Sequence, residues 1–307
     1  TCTIKAACPD KMWQGIKVIG ETLTHIDPPL PPLPNDPTDE RTRAIGGLGK
    51  VICQDGTTIE DAIKAIESIR SGKIIANGSH FNNNQYDLYY NSYVFAQGSA
   101  TAPTITNCTF TTTRQLNDNR IHPTAHISMK GTSGMFIRGC TFENTLPFPS
   151  TIHGATNTGY NRGMGIEANT SHIDVSSSCS FKKLFHGVHA SGFKSKAVVV
   201  ENSSFTGNHR AIYINNNDGC KVLNNNIVSR GEPGEQYEIM SAAREDREVD
   251  YSVFIGSCHT FTFEQNTISN ATTGLYVYNS GSLGNRVRYN TFEGRPDERT
   301  FQLGLPI

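Results

Sequence analysis

Val200-Glu201-Asn202-Ser203-Ser204-Phe205-Thr206-Gly207-Asn208, followed at once by Ala211-Ile212-Tyr213-Ile214-Asn215, is the phrase from which the rest of the chain can be read. It recurs as Ile105-Thr106-Asn107-Cys108-Thr109-Phe110, Ile137-Arg138-Gly139-Cys140-Thr141-Phe142, Val222-Leu223-Asn224-Asn225-Asn226-Ile227, Phe263-Glu264-Gln265-Asn266-Thr267-Ile268 and Val287-Arg288-Tyr289-Asn290-Thr291-Phe292. Weaker copies end at Ile59, Phe81 and Phe181. A repeat of this kind decides architecture before local propensity does, because each copy buries its apolar side only against the next.

The spacing can be measured. We call the Phe or Ile closing each phrase the anchor, and the apolar residue opening the next strand the starter. Anchor to starter is 7 residues in Ile59 to Ile66, Phe81 to Leu88, Phe181 to Val188, Phe205 to Ile212 and Ile268 to Leu275. Starter to next anchor is 15 in Ile66 to Phe81, Ile127 to Phe142, Ile166 to Phe181, Ile212 to Ile227 and Val253 to Ile268. The unit is therefore 22 residues, made of short β-branched and aromatic runs broken by Asn, Gly and Ser. Such runs read as several short strands with tight corners, stacked edge to edge about 4.8 Å apart. Ile59, Ala62, Ile63 and Ile66 also satisfy helical spacing, but the 7 and 15 intervals favour the coil.

Departures from the interval mark insertions. Ile16 to Ile59 is 43 residues, 28 more than expected, and the excess includes Asp27-Pro28-Pro29-Leu30-Pro31-Pro32-Leu33-Pro34. We place a Pro-rich insertion at 21–50 and read it as an extended surface excursion, with a partner-binding proline motif as the alternative. After Phe110, Phe142 and Ile227 the next starter comes 17, 24 and 26 residues on, so loops at 111–125, 143–163 and 230–250 leave one corner side by side. The second carries Pro147, Phe148, Pro149, His153, Tyr160 and Arg162; the third carries Arg244-Glu245-Asp246-Arg247-Glu248. A shorter excess of 7 after Leu88 emerges at the opposite corner.

Alternation along a strand then sorts side chains into columns. One outward column is Lys17, Glu67, Tyr89, Ser128, Glu167, His189, Tyr213, Phe254 and Tyr276; a second includes Asn91, Lys130, Asn169, Ser191, Asn215 and Tyr278. This aromatic stripe lies on a face walled by the longest loops, where solenoids take extended ligands. Cys108, Cys140 and Cys179 all stand two residues before an anchor and are expected inside, on one file continued by Ser203, Asn225, Asn266 and Asn290. A ladder of buried free thiols, a disulfide between adjacent coils and a metal site are the alternatives for the three cysteines. Cys2 and Cys8 are near enough to pair in an oxidising compartment, and the pairing of Cys53, Cys220 and Cys258 stays open.

Composition agrees with one elongated domain over 1–307. Hydrophobic residues make up only 36%, which suits a thin apolar column with polar corners. A net charge of −1 offers nothing to nucleic acid, and no apolar run is long enough for a membrane-spanning helix. The chain opens at Thr1 inside coil-like sequence, as expected of a piece of a longer protein. Thr3-Ile4-Lys5 and Thr300-Phe301-Gln302-Leu303 read as strands with no polar cap, so further coils or identical copies are expected at the open ends.

The phrases Asn107-Cys108-Thr109-Phe110, Asn202-Ser203-Ser204-Phe205 and Tyr289-Asn290-Thr291-Phe292, each leading into an apolar strand, resemble the right-handed parallel β-helix families of the pectin-lyase-like superfamily. The opening Met12-Trp13-Gln14-Gly15-Ile16-Lys17-Val18 with Gly56-Thr57-Thr58-Ile59-Glu60-Asp61-Ala62 is similar to repeat regions of large secreted bacterial proteins of the type 9 secretion kind. The resemblance covers nearly the whole chain and implies an all-β, single-stranded right-handed parallel β-helix of about nine coils, secreted or displayed at the cell surface. It implies no single activity, because one fold hosts lyases, hydrolases, epimerases, adhesins and passive stalks.

Hydrolases of the fold need clustered aspartates around one glycosidic bond, and no such cluster is present; Phe185-His186-Gly187-Val188-His189 comes nearest without them. Calcium asks for six or more oxygens, whereas the aromatic face offers mainly Glu167, so no cofactor is expected and calcium is unsupported. The catalytic candidates are Glu167, His189, Arg162 and Arg210, converging on a uronic-acid sugar with His189 as proton acceptor. The ligand-binding candidates are Tyr89, His189, Tyr213, Phe254 and Tyr276, with Asn169, Ser191 and Asn215 supplying hydrogen bonds to a polysaccharide or cell-surface glycan. The sequence favours a non-catalytic spacer, adhesin or glycan-binding module, with a polysaccharide lyase or hydrolase in the same groove as the alternative.

Overall fold

A computed structural model of the chain describes residues 2–20, 49–69, 72–91, 104–118, 120–132, 134–146, 162–192, 198–229, 251–271, 273–281 and 284–294. Within them the chain winds through three parallel sheets of ten, nine and nine strands, visiting each in turn. The first sheet carries the anchors, from Thr3–Ile4 to Thr291–Gly294; the second carries the starters, from Ile16–Ile19 to Thr273–Tyr278; the third runs from Lys50–Gln54 to Arg286–Arg288. Nine full coils and the first strand of a tenth result. The ambiguous stretch from Ile59 resolves into strands Thr58–Glu60 and Lys64–Ile69, with no helix.

The predicted ladder holds through every described coil, although insertions stretch most turns beyond 22 residues. Ile59, Phe81, Phe110, Phe142, Phe181, Phe205, Ile227, Ile268 and Phe292 pair in one continuous ladder that begins at Ile4. Phe81 stacks on Phe110 at 5.1 Å, Phe110 on Phe142 at 4.8 Å, and Phe142, Phe181 and Phe205 follow at 4.7 Å, all within 9° of parallel. That separation is the strand spacing of a sheet, so the backbone ladder itself sets the ring stack.

Why the phrase reads Asn-x-x-Phe is visible at the corner. Gly56, Gly78, Asn107, Gly139, Ser178, Asn202, Asn224, Gln265 and Tyr289, each three residues before an anchor, have φ between 50° and 76°. Glycine and asparagine enter this left-handed region most cheaply, so the recurrent Asn or Gly is a conformational demand repeated once per turn. The last two positions carry Gln and Tyr there, and Tyr289 is also 75% exposed.

The cysteine file is as expected, and it turns into an amide ladder. Cys108, Cys140 and Cys179 are buried and all eight cysteines are free thiols. Hydrogen bonding to Cys108 and Cys179, with burial behind it, pushes the Cys140 thiol up, and burial pushes Cys53 up to about 11. A protonated buried thiol is chemically quiet. Further along, Asn225 Oδ1 accepts from Ser203 N at 3.1 Å, Asn266 Oδ1 from Asn225 N at 3.0 Å, and Asn290 Oδ1 from Asn266 N at 2.9 Å. Their Nδ2 groups donate to Val200, Val222 and Phe263 carbonyls of the preceding coil, so the backbone groups freed at this corner are satisfied.

Strict alternation fails at one place. The residue before each starter is also buried: Ala65, Asp87, His126, Gly187, Ala211 and Ser252 all turn inward beside the apolar starter. A Cβ on Gly187 would meet the Phe205 ring at 2.7 Å, and one on Gly165 the Phe181 ring at 2.8 Å, which explains the small residues. Two successive inward residues send the residue before them outward, creating a third outward column: Lys64, Tyr86, Ala125, Met164, His186 and Arg210.

The insertions are shorter than expected at their edges. Gly49 and Lys50 already belong to the coil, Thr111 and Thr112 end strand Thr109–Thr112, and Ala125 begins Ala125–Lys130, leaving 113–124 as the loop. Glu143 and Asn144 likewise end a strand. The polyproline stretch, the bodies of the second and third large insertions, the excess after Leu88 and the strand expected at 300–303 lie outside the described residues.

Candidate functional site

The starter sheet presents a cleft of about 530 Å³ bounded by His122, Pro123, Thr124, Met164, Phe185, His186, His189, Arg210 and Tyr213. Its floor comes from two columns. Met164, His186 and Arg210 occupy the new outward column on three consecutive coils, while His189 and Tyr213 belong to the aromatic stripe read from the sequence.

One wall is the loop at 113–124. Asn83 Oδ1 accepts from Thr113 N at 2.8 Å and Arg114 N at 3.3 Å, and the Arg114 guanidinium pairs with the carboxylate of Asp61. At the far end Thr124 N donates to Gln85 O at 3.0 Å and Thr124 O accepts from Met164 N at 2.9 Å. Pro123 then rests against Gly163, where a Cβ would come within 3.0 Å of the Pro123 carbonyl oxygen. One end is therefore held by the Asn83 and Asp61 side chains and the other by backbone, and the wall is preformed.

Aromatic rings line the floor as a continuous stack. His209 lies against Phe185 at 5.1 Å, Phe185 against His186 at 4.3 Å, and His186 against Tyr213 at 5.6 Å and 4°. Tyr213 continues to Phe254 at 4.6 Å and Phe254 to Tyr276 at 5.8 Å. These rings cover one another's faces, so along Tyr213, Phe254 and Tyr276 the stripe offers ring edges and hydroxyls to solvent.

His186 stands out electrostatically. It is 5% exposed, and neither Nδ1 nor Nε2 has a hydrogen-bond partner. Burial, then the neighbouring His189, Arg210 and His209, hold its pKa well below the ordinary 6.5. Burial also lowers His189, against the pull of Glu167, and its Nδ1 is buried without a partner too. Both rings are neutral at neutral pH, each with one donor and one acceptor. An unmet buried polar group costs about 1–3 kcal/mol, which a ligand placing hydroxyls against the ring would recover.

Of the residues singled out from sequence, His189, Arg210 and Tyr213 meet at this cleft. Glu167 adjoins His189 in the ladder but accepts a hydrogen bond from Ser128 Oγ at 2.8 Å. Arg162 is buried, and its Nη1 donates to the Lys183 carbonyl at 3.2 Å, away from the cleft lining. Tyr89 sits beside Tyr86 under Lys64, two coils before Met164 and outside the cleft lining. Phe254 and Tyr276 continue the stack beyond the cleft, and Asn169, Ser191 and Asn215 form the neighbouring column at its side. His186 and Met164 were missed because alternation counted back from Val188 and Ile166 points residues 186 and 164 inward. The recurrent Gly or Ala just before a starter was the available signal. Among the described residues, no three His, Cys, Asp or Glu side chains converge as metal ligands.

No curated protein matches the chain. The family model of the right-handed β-helix region matches residues 125–298, more than half of the 307, and spans the coils that build this cleft. With three parallel sheets visited in turn and a repeat kept in register from end to end, the chain belongs to the right-handed β-helix family.

Proposed function

We propose that this chain is a non-catalytic glycan-binding module displayed outside the cell, with the cleft over His186 and Tyr213 as its sugar site. The observation carrying this reading is the buried His186 ring, whose two unpartnered nitrogens border a cleft lined also by Phe185, Tyr213, Met164, Pro123 and Arg210. A neutral imidazole offers one donor and one acceptor, the complement of two adjacent sugar hydroxyls, and ring edges with tyrosine hydroxyl suit the same surface. A glycan array tests it: binding to a defined sugar class, weakened at least tenfold by His186→Ala with the fold intact by circular dichroism, is the expected result. An array empty at every concentration overturns the reading.

A second reading rests on His189. Its lowered pKa keeps the ring neutral beside Arg210, the state a proton acceptor needs, so a lyase acting on uronate polymers is the alternative. Incubation with such polymers, followed for new unsaturated or reducing ends that His189→Ala abolishes, would favour the enzyme over the binding module.

A further inference from the structure

The cleft wall is held from a distance. The chain leaves the stack after Thr112 and doubles back over earlier coils, so that residues 113–118 meet Asn83, Asp61 and Lys11 before 120–124 return to the cleft. Arg114 carries most of that docking. Its Nη2 pairs with Asp61 Oδ1, while Nη1 donates to Asn117 Oδ1 and, at 3.4 Å, to the Gln115 carbonyl. Asn117 Nδ2 then donates to the Lys11 carbonyl at 3.4 Å, and Leu116 is buried. Asp61 sits at φ 62°, a left-handed corner that a short polar residue enters at low cost, and its side chain is 8% exposed against 45% for Arg114. Four rungs of the anchor ladder, roughly 19 Å, separate the Ile59 corner that holds Asp61 from the Phe181 corner that leads to His186.

Resting on the reading of this cleft as a ligand site, we infer that Asp61 is a positioning residue for it, acting through Arg114 to keep His122, Pro123 and Thr124 in place beside His186. The returning end of the strap is tied by backbone to Gln85 and Met164, so it stays put when the outgoing end is released. What the outgoing end loses with Asp61 is its ion pair; Asn83 still holds Thr113, and the remaining contact to Lys11 is long. The wall then pivots on Gln85 and the cleft loosens. Because Arg114 is partly exposed, dissolved salt screens the pair: the Debye length falls from about 10 Å at 0.1 M to about 3 Å at 1 M. Ionic strength therefore regulates the site, which is preorganised at low salt and must be ordered by its ligand at high salt.

Diethyl pyrocarbonate, which acylates neutral imidazole, reads the wall without a sugar. His186 suits it, because its unpartnered nitrogens react once the reagent reaches them. Modification of His186 is mapped by mass spectrometry on the whole chain, at about 20 mM and about 1 M sodium chloride. In Asp61→Asn, which keeps the corner residue short and polar, the low-salt rate is expected to rise about two- to fivefold, with the circular dichroism of wild type. Arg114→Gln, altered at the exposed partner, should match it, and the double variant should add nothing further. Salt should bring wild type up to the variants and leave the variants where they are. Low-salt rates equal in wild type and variants, or rates raised by salt equally in all, overturn the inference. On a glycan array, binding weakened in Asp61→Asn at low salt and equal to wild type at high salt supports the same role. An array empty for every protein removes the glycan-binding reading, while the acylation rates still decide whether Asp61 holds the wall.

Discussion

Oδ2 of Asp87 lies 2.6 Å from Nδ1 of His126 inside the coil column, with Asp87 1% and His126 5% exposed. Asn84 Nδ2 donates to the other carboxylate oxygen at 2.7 Å, and the His126 ring faces Phe110 and Phe142 at 6.2 and 6.1 Å. A hydrogen-bonded carboxyl–imidazole pair thus occupies the inward position that other coils give to Ala, Gly or Ser. Removing one partner leaves the other buried without it, so Asp87→Ala and His126→Ala are each expected to cost about 1–3 kcal/mol in chemical denaturation. The double variant should cost clearly less than the sum; strict additivity would show that the two do not act as a pair.

The inward position next to a starter tolerates bulk only where the anchor ring leaves room. Gly187→Ala places a methyl 2.7 Å from the Phe205 ring and 2.6 Å from the Ala211 carbonyl oxygen. A loss of about 1–3 kcal/mol is expected by thermal or urea unfolding. Gly78 has φ +60°, and a Cβ added there would meet nothing within 4 Å, so Gly78→Asn is expected to be near neutral. Equal losses at the two sites would contradict the packing account.

The amide ladder should weaken toward its end. Asn225→Ala orphans Ser203 N and the Val200 carbonyl inside the column, at an expected cost of about 2–4 kcal/mol from two unmet buried groups. Asn290→Ala, in the last described coil and only half-buried, should cost less than half of that, because water already reaches the Asn290 side chain. Hydrogen exchange of Ser203 and Asn266 amides in the two variants reports the same difference locally.

His186 predicts a pH dependence of the unliganded fold. Its pKa is held below 6.5 by burial first and by the neighbouring His189, Arg210 and His209 second, so the unfolded chain takes the proton earlier as pH falls. The stability tied to the neutral ring is therefore present above about pH 6.5 and is lost as pH drops from there toward the folded-state value. Melting temperature in His186→Gln should fall less steeply than wild type below about pH 6.5. Parallel profiles would mean that the ring does not titrate on unfolding in this range.

Coil count, strand face and interior file were legible in the order of residues because a solenoid converts sequence distance into height: 22 residues return the chain to the same place one strand spacing higher. Asn202 and Phe205 carried that message, one by needing a left-handed corner and the other by needing an apolar interior. His189, Tyr213 and Arg210 could be placed on the face for the same reason. Whether those rings would offer faces or edges could not be read, since stacking depends on side-chain rotation.

What the amino-acid order determined by itself is the winding, because anchors and starters return to the same sheets and keep one hydrogen-bonded register even where a loop lengthens the turn between them. Only the tertiary structure decided that two neighbours, Gly187 and Val188, both turn inward, which rotates His186 from the expected interior to the buried floor of the cleft. That choice belongs to packing: the Phe205 ring fills the space beside Gly187, and the strand accommodates it at the cost of strict alternation. The cleft follows from this local exception, closed by a loop whose docking to Asn83, Asp61 and Gln85 no spacing rule contains.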